Sequence, residues 1–194
     1  ISNITSTGAI TGVNIGNIGN ATTFNVNSNS ITNLTSSGAG GTVIGLNNTQ
    51  PATTLTNNTN LNTITGLSST AGAVTGIASS SASPTKAISN NTIGTLSSAG
   101  NVVSAISSSN GTTITISTNG ITGITGTSVT GTSIVSGISV TGGAAISITN
   151  NPISTLSSAN DGSFRGIYVS PLGATSNTIS GNTINGMTST STGV

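Results

Sequence analysis

The chain has 194 residues, of which 38 are Thr, 34 Ser, 27 Gly and 25 Asn, so four small uncharged types fill 124 positions. Lys86, Arg165 and Asp161 are its only charged side chains, where an ordinary soluble domain is about a quarter charged. Without His, Cys or Glu, and with one Asp, the sequence cannot assemble a Ser-His-Asp triad, a carboxylate pair, a Cys/His metal site or a basic stripe for nucleic acid. It therefore reads as a non-enzyme with no cofactor and no nucleic-acid partner.

Disorder is the first alternative for a polar, low-complexity chain, because such chains cannot offset the entropy of ordering. Two features argue against it: the mean hydropathy is +0.23 and the net charge only +1. A further 45 residues are Leu, Ile, Val or Phe. Ile, Val and Thr are stiff at χ1 and suit a pleated surface, while the Glu, Lys and Arg that build helices are almost absent, so the composition predicts strands. The most apolar stretches, such as 71–78, are broken by Gly and Thr and fall far short of the ~20 apolar residues of a spanning helix, so no membrane insertion is expected. Starting at Ile1, without a signal-like segment, the sequence reads as a processed chain or a section of a longer one.

In chain order the apolar residues cycle. A truncated unit, Ile1-Ser2-Asn3-Ile4-Thr5, leads to Ile10-Gly12-Val13 and then to Phe24. The first full unit runs from Asn29-Ile31-Leu34-Thr35 through Val43-Gly45-Leu46 to Leu55. The second begins at Asn62-Ile64-Leu67-Ser68 and passes Val74-Gly76-Ile77 to Ile88. The third takes Asn91-Ile93-Leu96-Ser97, Val103-Ala105-Ile106 and Ile114 with Ile116; the fourth takes Asn119-Ile121-Ile124-Thr125, Val135-Gly137-Ile138 and Ile146 with Ile148. The fifth runs from Asn151-Ile153-Leu156-Ser157 through Phe164-Gly166-Ile167 to Ile179, and Asn182-Ile184-Met187-Thr188 opens another. Successive motif isoleucines stand 33, 29, 28, 32 and 31 residues apart.

A fixed period in this range marks a repeat architecture. Three short strands per period, joined by Gly, Ser, Asn and Pro, predict an all-β parallel β-helix of about six coils of ~30 residues, with 1–194 as a single array. One coil cannot bury its aliphatic residues alone, so stacking at about 4.8 Å per coil must bury Ile on Ile. The core ladder is then Ile31, Ile64, Ile93, Ile121, Ile153 and Ile184.

The most specific feature is the Asn two residues before each of these: Asn29, Asn62, Asn91, Asn119, Asn151 and Asn182. A side-chain amide has two donors and an acceptor, so stacked copies at a corner can bond one another and the backbone, and Asn tolerates the αL conformation that tight corners need. On this reading Asn91 is structural, whereas a loop residue such as Asn110 is expendable.

The period, the Asn-x-Ile corner and phrases such as Asn90-Asn91-Thr92-Ile93 and Gly181-Asn182-Thr183-Ile184 resemble right-handed parallel β-helix repeats over essentially the whole chain. They are similar to the Ser/Thr/Asn/Gly-rich repeat regions of secreted and surface-anchored proteins of Bacteroidota and neighbouring bacteria, often exported by the type IX route. The resemblance implies a secreted or cell-surface location. Many parallel β-helix families are polysaccharide lyases or hydrolases, but their catalytic acids, Lys and Arg have no matching positions here, so no functional residue carries over.

The remaining features read as bland. Lys86 and Asp161 suggest an isopeptide pair but lack a catalytic acid, and are expected as solvated loop charges. Arg165, Tyr168 and Phe164 offer a small sugar-stacking patch or simple packing. Seven N-x-Ser/Thr sequons, at Asn3, Asn20, Asn33, Asn47, Asn57, Asn90 and Asn110, are no more than composition gives, leaving glycans as an open partner class. Ice binding needs Thr-x-Thr in rank from coil to coil, but the residues flanking the motif isoleucines alternate among Thr, Ser, Gly, Asn and Pro. The expected function is a non-catalytic extracellular fibre, filament subunit or adhesin stalk that self-associates and is indifferent to salt and pH. A carbohydrate-binding β-helix is the alternative, and an ice-binding solenoid a more distant one.

Overall fold

The computed structural model describes residues 1–16, 21–53, 55–100, 102–128, 133–159, 162–171 and 173–189, and among these there are strands and no helix. The first coil is β1 (Ser2–Ser6), β2 (Ile10–Ile15) and β3 (Thr23–Asn27), and the second β4 (Ser30–Ser36), β5 (Val43–Asn48) and β6 (Thr56–Asn60). The third comprises β7 (Thr63–Ser69), β8 (Val74–Ser79) and β9 (Thr85–Ser89), and the fourth β10 (Thr92–Ser98), β11 (Val102–Ser108) and β12 (Thr113–Ser117). The fifth is β13 (Gly120–Gly126), β14 (Ile134–Val140) and β15 (Ala145–Thr149), and the sixth β16 (Pro152–Ser158), β17 (Ser163–Val169) and β18 (Ser176–Ser180), with β19 (Thr183–Ser189) opening a seventh.

Each strand pairs in parallel with its counterparts one coil away, giving a seven-stranded sheet A (β1-β4-β7-β10-β13-β16-β19) and six-stranded sheets B (β2 to β17) and C (β3 to β18). This is an all-β parallel solenoid of about six turns. The truncated opening unit stacks in its proper place, with Ile4 opposite Leu34 and Thr5 opposite Thr35. In register, Ile31, Ile64, Ile93, Ile121 and Ile153 form one buried file; Ile184, the sixth expected member, stands opposite Ile153 but is 42% exposed, because no described strand pairs with β19 on its far side.

Sheet A carries two inward aliphatic residues three positions apart, as Ile31 and Leu34, because a left-handed residue between them interrupts the alternation at the same register in each strand. That residue is Asn3, Asn33, Gly66, Thr95, Gly123, Thr155 and Gly186 in turn, with φ between 55° and 70°. The small residue of the sheet B tetrad answers this geometry. A Cβ added to Gly76 would lie 2.8 Å from Ile93 Cγ2 and 2.6 Å from Ala105 O. At the equivalent Gly45 an added Cβ would lie 2.6 Å from Ile64 Cγ2, so the glycine file is the space into which the isoleucine file packs.

Sheet C differs from expectation in coil 2. Leu55 lies outside, 53% exposed, ahead of β6, and the inward residues of that strand are the buried Asn57 and Thr59. In coils 4 and 5 the same two places hold Ile114 with Ile116 and Ile146 with Ile148. The alternation is regular, but one coil fills it with polar groups.

At each turn from sheet C to sheet A the residue just before the ladder asparagine is left-handed: Ser28, Leu61, Asn90, Thr118 and Asn150 at φ 55° to 58°, and Gly181 at 64°. The strained position is thus the neighbour of the ladder Asn. For Leu61, 60% exposed, this conformation costs ~1 kcal/mol with no burial in return. Leu61→Asn, the residue used in coils 3 and 5, is expected to stabilise the fold by about 0.5–1 kcal/mol in urea unfolding. Gly76→Val should cost about 1–3 kcal/mol by crowding the isoleucine file, whereas Gly120→Thr, with nothing within 4 Å of its added Cβ, should be neutral in the same assay.

Candidate functional site

Three internal arrangements carry the polar chemistry of this chain. The first is the asparagine corner. Asn29 Nδ2 donates to Asn62 Oδ1 at 2.9 Å, Asn62 to Asn91 at 2.9 Å, Asn91 to Asn119 at 2.8 Å, Asn119 to Asn151 at 3.0 Å and Asn151 to Asn182 at 2.9 Å. Each Oδ1 also accepts the main-chain N–H of the preceding ladder Asn, at 2.9–3.1 Å. The other Nδ2 proton reaches back to a sheet C carbonyl, as from Asn91 to Thr59 O at 2.9 Å and from Asn119 to Ile88 O at 2.9 Å. Every hydrogen-bonding group of the interior amides is used, which is what lets them lie buried.

The second arrangement has no counterpart among the sequence motifs. The residue after each sheet A motif turns inward at the A–B corner, where Ser36 Oγ donates to Gly8 O at 2.8 Å, Ser69 Oγ to Gly41 O at 2.6 Å and Ser98 Oγ to Gly72 O at 2.6 Å. Ser69 Oγ also accepts from Gly72 N, and Ser98 Oγ from Gly100 N, both at 2.8 Å. The signal is present, since Ser follows the motif in five of its six copies, but Ser is too common in this chain for the position to stand out. In coil 5 the place is held by Gly126, against which Ser133 packs, and Ser133 Oγ is left buried without a partner.

The third is a polar pocket of the interior at the B–C corner of coils 2 to 4. Asn48 and Asn57 exchange amide hydrogen bonds at 2.9 and 3.0 Å, Asn57 reaches Ser81 Oγ at 3.3 Å, and Ser81 reaches Ser83 at 2.8 Å. Lys86 belongs here. Expected as a solvated loop charge, it is instead on β9, 1% exposed, its file running from Asn57 through Lys86 to Ile114. Burial pushes its pKa down from 10.5 to about 8, which also corrects the expectation that the protein would be indifferent to pH. Its proposed isopeptide partner, Asp161, lies outside the described residues, and Lys86 Nζ is bonded to main-chain carbonyls.

The sugar-stacking candidates separate. Phe164 stands opposite Val135 in the inward file and packs on the core, while Arg165 and Tyr168 lie in the files of Ser136 and Ser139. The Arg165 guanidinium sits 4.1 Å from the Tyr168 ring centroid, so one ring face is already covered. Of the sequons, Asn57 is buried inside the solenoid, whereas Asn3, Asn33 and Asn110 are exposed and Asn20 lies outside the described residues. A depression of about 230 Å³ on sheet A, lined by Thr92, Gly120, Ile121, Thr122, Pro152 and Ser154, holds no charged or aromatic group to orient a ligand. No helix among the described residues is long and apolar enough to cross a membrane.

In comparisons with known proteins, no family model matches the chain, and no curated protein or solved structure matches it either. The fold and its polar files are therefore the whole basis for a functional reading.

Removing one amide from the corner tests how much it holds. Asn91→Ala leaves Asn62's N–H and Nδ2 without their acceptor, and should cost about 1–3 kcal/mol or more in chemical denaturation. Asn110 is no neutral control for this, since it is left-handed and donates to Ser80 O at 3.0 Å. Asn185, exposed on β19 opposite Ser154, serves instead, and Asn185→Ser should leave the unfolding midpoint unchanged.

Proposed function

We propose that this chain is a non-catalytic structural element of an extracellular fibre, filament or adhesin stalk. The observation that carries the reading is the continuity of the files along the axis: isoleucine, glycine and asparagine repeat from coil to coil, and load along the rod is shared among many equivalent bonds. Among the described residues Arg165 is the one charged side chain on the outer faces, and the whole chain has only three charged side chains, so little repulsion opposes side-by-side or end-on association. Six turns at about 4.8 Å make a rod of about 30 Å, short for a stalk and suited to being one stretch of a longer stack.

The files keep their pattern to the last described coil. Ile179, Ile184 and Met187 are 53%, 42% and 44% exposed there, whereas Ile148, Ile153 and Leu156, one coil inward, are buried. The ladder is also directional: Asn182 donates to Ile148 O, and among the described residues no further Asn of the ladder follows it. A further coil of the same pattern, in the same chain or in a second one, would continue these files. Secretion or surface display is part of the same proposal and rests on the resemblance of the repeats, and glycans remain a partner class at the exposed sequons. Carbohydrate recognition, the alternative, is left with a single ring already stacked on Arg165.

Electron cryomicroscopy of the native material tests this. Rods in which the solenoid runs through successive repeats, with an axial spacing of about 4.8 Å, are the expected result. An isolated solenoid closed by a cap and carrying bound sugar would overturn it.

A further inference from the structure

Among the described residues one ionisable side chain, Lys86, lies inside this solenoid, and the proposed fibre role makes no use of it. Lys86 Nζ donates to Ser79 O at 3.2 Å and to Ser109 O at 2.5 Å. Ser79 ends β8 and Ser109 comes directly after β11, so the amine clasps the B–C corners of coils 3 and 4 from within. The turn after β11 closes over the lysine stem. Gly111, at φ 83°, is the residue that permits this, because a Cβ there would stand 3.0 Å from Lys86 Cε. Asn110, at φ 61°, pins the turn outside through Ser80 O.

Nothing around the amine compensates its charge. The strands packed about it present Asn57 and Thr59 from β6, Ser79 from β8, Ser108 from β11 and Ile114 from β12. Asn57 is committed to Asn48, and Ser108 Oγ is buried with no partner. Ser79 O already accepts the N–H of Ser109 at 2.9 Å. No carboxylate, second amine or tyrosine faces the group from these elements.

We propose that the Asn110–Gly111 turn is a proton-operated lid over Lys86, closed over the neutral amine and loosened over the ammonium. A neutral amine satisfies both carbonyls with its two protons and can stay dry. The ammonium has a third proton and a full charge in a setting that offers only carbonyl dipoles, so admitting water is favourable. The turn is the part that can yield, because it is two left-handed residues lying outside the sheets, whereas β9 is held on both sides. Burial places the transition at about pH 8.

Stability is tied to the same proton. The folded chain releases it at about 8 and the unfolded chain at 10.5, so between these values the unfolded state binds more protons and stability rises with pH. The full gain, set by the difference between 10.5 and about 8, is about 300-fold in the unfolding equilibrium.

Because Lys86 is the sole lysine, a lysine-labelled chain gives a single side-chain NMR signal. Its titration midpoint is expected near 8, together with a rise in protection of the Ser109 and Thr112 amides, which bond Ser79 O and Pro84 O. That rise, normalised to intrinsic exchange, should reach about tenfold between pH 7 and pH 9. Lys86→Met should remove the pH dependence of this protection. A midpoint near 10.5, a midpoint near 8 with unchanged protection, or an unchanged profile in Lys86→Met would each overturn the lid. If Lys86→Met fails to fold, the titration and exchange of the unaltered chain decide alone.

Discussion

The structure depends on one main-chain group per coil. Where sheet C turns into sheet A, the chain passes through a left-handed residue, and the next N–H points along the axis with no strand beside it. The Oδ1 of the Asn one coil on accepts it, from Asn29 to Asn62 and onward to Asn182. An unpaired buried N–H costs as much as a lost hydrogen bond, so the corner can be repeated only if each coil brings its own acceptor. An Asn at this place also sets the direction of the strand after it. Two residues on, the side chain must point inward, which places Ile31, Ile64 and their successors on the axis and requires a glycine or alanine across from them on sheet B.

The outward side-chain ladders change along the axis. In coils 1 and 2 an amide ladder runs along the outside of all three sheets: Asn33 to Asn3 on A, Asn47 to Asn14 on B and Asn58 to Asn25 on C, at 2.8–3.0 Å. These bonds tie coil 1 to coil 2 on every outer face. In coil 5 the outward ladders are hydroxyls, as in Ser157 to Thr125 at 3.0 Å. Such bonds are exposed and individually weak, so each is a small correction to burial and backbone pairing.

Much of this was legible in the sequence because the repeat is a register device. The period, the isoleucine file, the small residue of the tetrad and the asparagine before each Ile all recur at fixed offsets. The left-handed corner was not legible, because Ser28, Leu61, Asn90, Thr118, Asn150 and Gly181 share a backbone conformation and no chemistry. The serine column was hidden by composition. Coil 2 misled for a physical reason: its sheet C strand buries Asn57 and Thr59, which share Asn48 as a hydrogen-bond partner, so the apolar residue nearby, Leu55, looked like the core. Lys86 misled more deeply, since a lone lysine in a Ser/Thr-rich chain is ordinarily a surface residue.

The polar pocket bears on how such a solenoid opens. In a solenoid each coil contacts only its neighbours, so stability is a sum of local terms and the weakest junction decides where opening begins. Most junctions here are apolar inside and close in the same way. The B–C corner of coils 2 to 4 is different, because its interior contains the Asn48–Asn57 pair, an uncompensated amine and a serine without a partner, where coil 5 contains Ile146 and Val140. The corner ladder passes through these coils unbroken, as from Asn91 to Asn119 at 2.8 Å, so the C–A corner is continuous where the B–C corner holds the buried amine. A rod built this way has a soft corner without a soft joint, and it can admit water at one edge while its axial continuity is preserved.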